Sequence, residues 1–372
     1  MEKRVLVIGG RGRIGSCVLA DLMAHTSANM VITGRKPNSN LFLTEQFSTD
    51  HDRSRVSYIT LDLLEYEKLK TVIAQSDLVV HCAGPFRQRD TWILQSCIEN
   101  RVSYIDVSDD RTFTQKALSL HEMAIASGVT AVINSGVFPG ISNSMVRQGV
   151  EQLDTVRKIH LSYVVGGSGG AGVTVMRTTF LSLQQPFEAW IEGRWQSVNP
   201  YTDREIIEFQ APFGRAGVYW FDMPESFTLV NSFPVETVIT KFGSVPDFYN
   251  HLTWIVAHWF PAQLMQNPRA IEFLAQISHR MTGISDRFSG TGVAVRSEIT
   301  GEKEGRSVRQ CSNFIHESAA VATGQGTGSI AQCILSGQLV KPGVWAVEQA
   351  LSTELFEEMM RSRGLAINQA WL

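Results

Sequence analysis

The chain has 372 residues, of which 44% are hydrophobic and 19% are charged. This length predicts two or three domains and excludes a disordered tail or a one-domain module. The 33 basic and 36 acidic side chains leave a net charge of −3, so no overall basic field favours nucleic acid as a partner.

The N-terminus and the cysteines predict a reduced, cytoplasmic protein. Only four apolar residues follow Met1-Glu2-Lys3-Arg4, too few for the core of a signal peptide, and the five cysteines form no CxxC pair. The longest apolar stretch, Leu252 to Met265, contains His258, Pro261 and Gln263. Because it is shorter than the ~20 residues of a spanning helix, we expect no spanning membrane segment.

Through about residue 135, short β-branched runs alternate with segments of helical periodicity, the pattern of βαβ units in a parallel sheet. Each run is almost entirely apolar, as expected for strands that helices cover on both faces. The six predicted strands are Val5–Ile8, Met30–Thr33, Val56–Leu61, Leu78–Cys82, Ser103–Val107 and Ala131–Asn134. These connections predict an α/β fold with a doubly wound (Rossmann) parallel sheet in the order 3-2-1-4-5-6.

After about residue 150 the pattern changes to alternating strands and hairpin signals, followed by helices, which predicts a second α+β domain of mainly antiparallel strands. The predicted strands are Lys158–Val165, Trp190–Val198 turning at Gly193, Val293–Thr300 and Ser307–Phe314. The segments with helical patterns are Phe248–Met281, Glu317–Leu335 and Ala346–Arg361.

The first predicted strand leads directly into a G-x-G-x-x-G motif that opens an amphipathic helix. Gly10 permits the tight turn, Gly12 lets the backbone approach a pyrophosphate, and Gly15 lets the helix pack on the strand, while the helix N-terminus offers N–H donors. The predicted cofactor-binding residues of this loop are Gly10, Arg11, Gly12, Arg13, Ile14 and Gly15. A glycine-rich turn without a ligand is the alternative.

The end of the second strand, Thr33-Gly34-Arg35-Lys36, favours NADP(H) over NAD(H). A carboxylate there would bond the ribose 2′-hydroxyl and repel a 2′-phosphate, and none is present. Arg35 can stack on adenine and grip the phosphate with its planar fork, with Lys36 beside it and Arg11 approaching from the glycine loop. A solvated cationic cluster is the alternative reading.

Two further strand ends are predicted to line the cofactor. Asp62, after the third strand, either bonds the adenine amino group or caps the next helix, and the sequence does not decide between these roles. The fourth strand ends in Cys82-Ala83-Gly84-Pro85, where small residues let the nicotinamide ribose approach the backbone. No base lies beside Cys82 in the sequence, which favours packing over a nucleophilic role.

Three segments together resemble the saccharopine dehydrogenase-like NADP-dependent oxidoreductases: Val79-Val80-His81-Cys82-Ala83-Gly84-Pro85-Phe86, Tyr104-Ile105-Asp106 and Gly136-Val137-Phe138-Pro139-Gly140-Ile141-Ser142-Asn143. The resemblance covers the first 145 residues and continues more weakly through Ser162–Gly167 and Gly343–Gly364. It implies NADP(H) as cofactor and reduction of an imine formed between an amine and a carbonyl compound.

The resemblance also implies how the chain is organised. Closing helices return to the nucleotide domain, and the middle segment forms a substrate and dimerisation domain. The expected division is residues 1–145 plus about 330–372 for the first domain and about 146–329 for the second, with a homodimer as the assembly and a small-molecule substrate in the cleft between the domains.

Hydride transfer needs side chains that orient the substrate or move a proton. The predicted catalytic residues are Asp106, Ser108, Tyr163 and His316. His316 is also explained as an exposed imidazole at a helix start. Two other functions stay open: a non-catalytic NADP(H)-binding sensor or scaffold, and a reductase of C=O or C=C substrates.

Other patterns have simpler explanations. His251 and His258 lie seven residues apart among apolar residues, which disfavours a metal site. The segment Gly324–Gly328 looks like a phosphate loop, but small residues in a closely packed helix explain it better.

Within the apolar stretch, aromatic and aliphatic residues recur at helical spacing: Trp254, Ile255, Trp259 and Phe260. They fit a buried core, a dimer interface or a membrane-surface patch, and all three remain open.

Overall fold

The computed structural model describes residues 2–35, 49–167, 169, 172–183, 185–261, 267–289 and 291–372, so the predicted cofactor residue Lys36 lies outside the described residues. The chain divides into two compact units. Unit 1 comprises Met1–Val137 and Ala320–Leu351, and unit 2 comprises Phe138–Ala319 and Ser352–Leu372.

Unit 1 contains a seven-stranded sheet in which every pair is parallel. Its strands, numbered along the chain, are β1 (Arg4–Ile8), β2 (Asn29–Gly34), β3 (Val56–Thr60), β4 (Leu78–His81), β5 (Ser103–Asp106), β6 (Thr130–Ile133) and β15 (Gly343–Ala346). The order β15-β6-β5-β4-β1-β2-β3 confirms the doubly wound fold. The seventh strand was not predicted, because four residues after Pro342 are too few to show a strand pattern.

Helices flank this sheet because each buries one apolar stripe, such as Val18, Leu19 and Leu22 of the first helix. The helices are α1 (Arg13–His25), α2 (Asp50–Ser54), α3 (Tyr66–Ala74), α4 (Trp92–Glu99), α5 (Arg111–Leu118), α6 (His121–Ser127), α12 (Ala319–Ser336) and α13 (Val347–Ala350).

Unit 2 is built on a second seven-stranded sheet, in which β7 and β12 are parallel and every other neighbouring pair is antiparallel. Its strands are β7 (Thr155–Gly166), β10 (Glu205–Glu208), β11 (Arg215–Trp220), β12 (Thr237–Val245), β13 (Gly292–Lys303), β14 (Arg306–His316) and β16 (Ile367–Trp371), and β8 (Phe187–Ile191) with β9 (Arg194–Val198) forms a separate hairpin. This confirms the predicted α+β class.

The order of the larger sheet is β10-β11-β12-β7-β13-β14-β16. The predicted β13–β14 hairpin turns at Glu304 and Gly305, which both have positive φ, as a two-residue turn requires.

The helices of unit 2 are α7 (Ile141–Val150), α8 (Val173–Ser182), α9 (Glu225–Ser232), α10 (Phe248–Trp259), α11 (Pro268–Ser289) and α14 (Thr353–Ser362). A single helix was expected over Ala346–Arg361, but the structure has two helices, and α13 ends at Ala350. The Ser352 hydroxyl accepts a hydrogen bond from the Leu355 N–H and starts α14 as a new helix.

The C-terminal segment differs from the expected domain division. Strand β16 pairs with β14, with Ile367 opposite Phe314, so residues from Ser352 onward lie in unit 2 and not with the nucleotide domain. The other part of the expected closing segment, residues 330–351, does lie in unit 1, together with residues 320–329. Helical periodicity shows which residues are buried, but it does not show which sheet covers them.

The segment Gly324–Gly328 lies within α12, a helix in which small residues pack closely against α1. A Cβ at Gly324 would lie 2.6 Å from the carbonyl carbon of Cys17, and one at Gly328 would overlap the Asp21 carboxylate. Close helix packing therefore explains these glycines. Within the described part of the chain, no helix is both long and apolar enough to cross a bilayer.

We expect Gly324→Ala to lower the thermal midpoint of unfolding by several degrees, because the added methyl would force α12 away from the Cys17 backbone. Overpacking of this kind costs about 1–3 kcal/mol. The matched control is Gly283→Ala, also in a helix but with nothing within 4 Å of the new methyl. Differential scanning calorimetry of both variants checks this, and an unchanged midpoint for Gly324→Ala would contradict it.

Candidate active site

The glycine loop joins β1 to α1 in a turn that only small residues can form. The Gly12 N–H donates to Gly9 O at 2.8 Å, and Gly9 has a φ of 77°. A Cβ at Gly10 would lie 2.7 Å from Ile32 Cβ, and one at Gly15 would overlap Gly9 O. Sterics thus explain the first and third glycines of the motif.

Helix α1 begins at this turn, and no acidic side chain of its first turn offsets the positive end of the helix dipole. Gly12 is the N-cap, provides no capping side chain and is exposed. Arg13 and Ile14 form the first turn, which contains no acidic residue, so the dipole and its N–H donors are available to an anion. The loop therefore fits the pyrophosphate of a dinucleotide.

Two arginines lie near β2 and β3: Arg35, which follows β2, and Arg11 of the glycine loop, which lies over a β3 side chain. Arg35 is exposed directly after Gly34, and the Arg11 guanidinium lies 5.5 Å from the ring centroid of Tyr58. A Cβ at Gly34 would lie 2.8 Å from the Tyr58 hydroxyl oxygen, so a larger residue there would displace this ring.

Arg89 is a third arginine in this region, and the sequence analysis missed it. Burial, followed by the positive charge of Arg35, lowers the pKa of Arg89, while the negative charge of Asp62 opposes the shift. Its Nε donates to Ala83 O at 3.2 Å, which fixes the side chain at the end of β4. Positive charges that repel each other in this region favour an anionic ligand such as a 2′-phosphate.

Asp62 is exposed in the turn before α3. Its Oδ1 accepts from the Leu64 N–H at 3.0 Å, and its own N–H donates to Glu65 Oε2 at 2.7 Å. These contacts stabilise the turn, but the N-cap of α3 is Glu65, so Asp62 does not itself cap this helix as one alternative predicted. Adenine binding by the same carboxylate stays a prediction.

The backbone at Cys82-Ala83-Gly84-Pro85 continues β4 beside the glycine loop. The Cys82 N–H donates to Ile8 O at 2.9 Å, and a Cβ at Gly9 would lie 3.2 Å from Ala83 Cα. Larger residues would not fit this close approach. Burial raises the pKa of the Cys82 thiol well above its usual range, which disfavours a thiolate nucleophile.

Asp106 and Ser108 come together in a buried network at the end of β5. Asp106 Oδ1 accepts from the Ser108 N–H at 3.0 Å, the Ser108 hydroxyl at 2.6 Å and the Asn134 N–H at 3.0 Å. The Asn134 side-chain amide donates to Ser108 O and to the Thr114 hydroxyl. These contacts order the loops after β5 and β6, and burial raises the pKa of Asp106.

Asp109, next in the loop after β5, is half-buried and was not among the predicted residues. Burial, reinforced by the negative charge of Asp110, raises the pKa of Asp109 to about 7. The loop leaves the carboxyl edge of the sheet beside β4. Because its carboxyl group titrates near neutral pH, Asp109 has the property required of a proton donor.

We expect Asp109→Asn to be more stable than the wild-type protein above about pH 7, by on the order of 1–3 kcal/mol. The folded-state pKa of about 7 lies above the unfolded value, so the wild-type protein loses stability as pH rises from about 4 to about 7. Asparagine does not ionise, so the difference should vanish near about pH 4. Urea unfolding across this pH range measures it, and a difference independent of pH would contradict the assignment.

Tyr163 lies in the interior of unit 2, on β7. Its hydroxyl donates to Glu225 Oε1 at 2.8 Å, the Ser142 hydroxyl donates to the same oxygen at 3.0 Å, and the Phe138 ring packs at a centroid distance of 4.9 Å. Burial, together with the Glu225 carboxylate, raises the pKa of Tyr163. The sequence analysis missed Glu225 because an acidic residue at a helix start is usually explained by the helix dipole.

His316 is the last residue of β14 and is half-buried. Its Nδ1 accepts from the Ser318 N–H at 3.0 Å, and its ring stacks on Phe314. Strand β13 separates β14 from β7, with Val295 opposite both Phe314 and Tyr163. His316 and Tyr163 therefore belong to one sheet of unit 2, while Asp106 and Ser108 belong to unit 1.

Comparison with known families supports the nucleotide-binding interpretation of unit 1. Residues 5–132 match the family model described as the saccharopine dehydrogenase NADP binding domain. This range includes the glycine loop, the arginines and the β4 and β5 ends. The expected resemblance is confirmed over this domain, and NADP(H) is confirmed as its cofactor class.

Curated relatives match over a short part of the chain. The human saccharopine dehydrogenase-like oxidoreductase is 33% identical over 84 residues, which are 22% of this chain and 20% of the relative. A relative from Arabidopsis thaliana, called a probable mitochondrial saccharopine dehydrogenase-like oxidoreductase, is 22% identical over 144 residues, 36% of this chain and 31% of its own. The chain thus matches about a fifth to a third of the length of these relatives.

Solved structures share the fold over the whole chain. Apo saccharopine dehydrogenase (L-Glu forming) from Saccharomyces cerevisiae has a TM-score of 0.68 at 14% identity, with 100% of both chains covered. The DAP dehydrogenase of C. glutamicum in complex with DAP has a TM-score of 0.50 at 11% identity, covering 97% of this chain and 99% of that one. At these identities the likeness shows the fold alone.

Proposed function

We propose that this chain, whose residues 5–132 match the model of the saccharopine dehydrogenase NADP binding domain, is an oxidoreductase that uses NADPH to reduce a C=N bond of a small organic substrate. The observation that carries the proposal is the glycine loop, where a Cβ at Gly15 would overlap Gly9 O and an anion-binding helix start follows. The names of the similar proteins, saccharopine dehydrogenase and DAP dehydrogenase, support an amine-type substrate.

The reaction adds one hydride to the imine carbon and one proton to the nitrogen, which gives a secondary amine. NADPH supplies the hydride when bound, and the protein supplies the proton and the orientation. We assign the proton to Asp109, because its carboxyl group is partly protonated at neutral pH and its loop lies at the carboxyl edge of the sheet. Asp106 and Ser108 hold that loop in place as positioning residues.

Tyr163 and His316 keep their predicted catalytic roles as part of the proposal. Tyr163 acts as a positioning residue through Glu225, because both side chains are buried. We expect Tyr163→Phe to lower kcat about 10-fold with unchanged NADPH affinity, because the hydroxyl positions the Glu225 carboxylate. Tyr201→Phe is the matched control: this tyrosine is also fully buried in unit 2, and its hydroxyl donates to Asn250. Steady-state kinetics of both variants checks the assignment, and equal kcat values would return Tyr163 to a packing role.

One observation favours a non-catalytic NADP(H)-binding sensor or scaffold as the second candidate. The hydroxyls of Tyr163 and Ser108 and one oxygen of Asp106 are engaged in internal hydrogen bonds. NADPH oxidation against panels of imines, carbonyl compounds and activated alkenes separates the candidates. Turnover of imines supports the proposed reductase, turnover of C=O or C=C substrates only reassigns the substrate class, and tight NADPH binding without turnover supports the sensor.

The resemblance also supports a homodimer with a small-molecule substrate, and the five cysteines without a CxxC pair support a location in the cytoplasm. Sedimentation velocity of the purified protein tests the dimer, and cell fractionation tests the location. The mitochondrial name of the Arabidopsis relative makes the second measurement necessary.

A further inference from the structure

Helix α10 presents its apolar side chains to solvent. Asn250 and Val256 are buried on one side, where the Asn250 amide donates to Gly217 O and Ser244 O. The opposite side exposes apolar and aromatic residues at helical spacing. These residues are Phe248, Trp254, Ile255 and Trp259. Because these apolar side chains are exposed, they do not form a buried core. They form an apolar surface patch of the kind that marks an interaction site.

Helix α11 also exposes apolar side chains to solvent. The Tyr249 hydroxyl of α10 donates to Met281 O of α11 at 3.2 Å, so the two helices meet there. The exposed face of α11 carries Phe273, 63% exposed, and Ile277, one turn further on. We define the exposed helix face as these two residues together with Phe248, Trp254, Ile255 and Trp259.

The charges next to this face are positive. Helix α10 contains no Asp, Glu, Lys or Arg. On α11, Arg269 and Arg280 are exposed at the spacing of Phe273 and Ile277, while Glu272 is bound by Arg177 in an ion pair. Within residues 248–259 and 267–283, Arg269 and Arg280 are the exposed Lys, Arg, Asp or Glu residues, and Glu272 is partly exposed in its ion pair with Arg177.

From these observations we infer that the exposed helix face binds an anionic lipid surface. Tryptophans prefer the boundary between headgroups and acyl chains, and an amphipathic helix lies in that plane with its apolar side inserted and cations toward the headgroups. In a two-fold related second copy, Arg269 and Arg280 would meet the same arginines and Glu272, which is already paired with Arg177. Charge complementarity therefore favours anionic lipid over self-association.

Flotation with vesicles tests the inference on the full-length protein. We expect binding to vesicles of phosphatidylcholine mixed with phosphatidylglycerol, and much weaker binding to phosphatidylcholine alone. Replacing both Trp254 and Trp259 with serine should weaken binding at least about 10-fold, since each ring buries a large apolar area. The matched control is Trp195→Ser on the β9 hairpin, because Trp195 is 40% exposed and Trp254 is 37% exposed.

The arginines give a second, independent readout. Arg269→Gln and Arg280→Gln should each weaken binding to the anionic vesicles about 5-fold and leave binding to phosphatidylcholine unchanged. The control is Arg194→Gln, an exposed arginine on the β9 hairpin.

Three outcomes would overturn the inference. They are absence of binding by the folded wild-type protein, equal binding by the double tryptophan variant, and a wild-type dimer that dissociates in that variant without any vesicle binding. The last result would assign the face to a second copy of the chain.

Discussion

Replacing Gly12 with valine should weaken NADPH binding at least about 100-fold and leave the protein folded. Gly12 is exposed at the start of α1, and a Cβ there would meet only Gly9 O, at 3.1 Å. The fold therefore tolerates the side chain, whereas a pyrophosphate that must approach the backbone at this glycine does not. A 100-fold loss corresponds to about 2.8 kcal/mol of binding free energy.

Isothermal titration with NADPH measures this loss, and circular dichroism confirms that the variant is folded. Gly283→Val is the control, because this helical glycine has no neighbour within 4 Å and lies in α11 of unit 2. Unchanged NADPH affinity in folded Gly12→Val would remove the nucleotide assignment of the loop.

Arg35→Ala should weaken NADPH binding about 10- to 150-fold and barely change NADH binding. A charge-assisted contact to phosphate contributes roughly 1.5–3 kcal/mol of binding free energy. NADH has no 2′-phosphate, so its binding does not include this contact. Arg35→Asp should shift preference toward NADH, since a carboxylate repels the phosphate and accepts from a ribose hydroxyl.

Arg89→Ala refines the same experiment. Arg89 is close enough to Arg35 for the two charges to repel, so its loss should also reduce affinity for NADPH more than for NADH. Arg194→Ala, an exposed arginine of unit 2, is the control. Dissociation constants are compared at one ionic strength because salt screens exposed charges. Equal losses for both nucleotides would show that these cations form a solvated cluster.

The parallel sheet of unit 1 was predictable because most of its strands are buried on both faces and are therefore almost purely apolar. Val5–Ile8 and Leu78–His81 are buried throughout. Strands at the edge of the unit 2 sheet expose more residues to solvent and therefore show a weaker hydrophobic pattern. Glu205–Glu208 alternates half-buried and exposed residues, and Ile367–Trp371 is largely exposed, so neither was predicted.

The cofactor loop was predictable because its residues are consecutive and their spacing follows from sterics. Residues that reach a site from a distant part of the chain leave no such pattern. Arg89 lies far along the chain from Arg35, and Glu225 meets Tyr163 only through tertiary packing. Asp109 is different: an Asp-Asp pair after a strand is visible in the sequence, but its raised pKa depends on burial that the sequence does not reveal.

The position of β15 has a consequence for biosynthesis. Strand β6 ends at residue 133, and its outer neighbour β15 begins at residue 343, so unit 2 is synthesised almost entirely in between. At about 5–20 residues per second, the edge of β6 waits roughly 10–40 s on the ribosome for its partner. An unpaired apolar strand edge is a template for aggregation, so we expect slower synthesis of unit 2 to lengthen the time during which this edge is exposed.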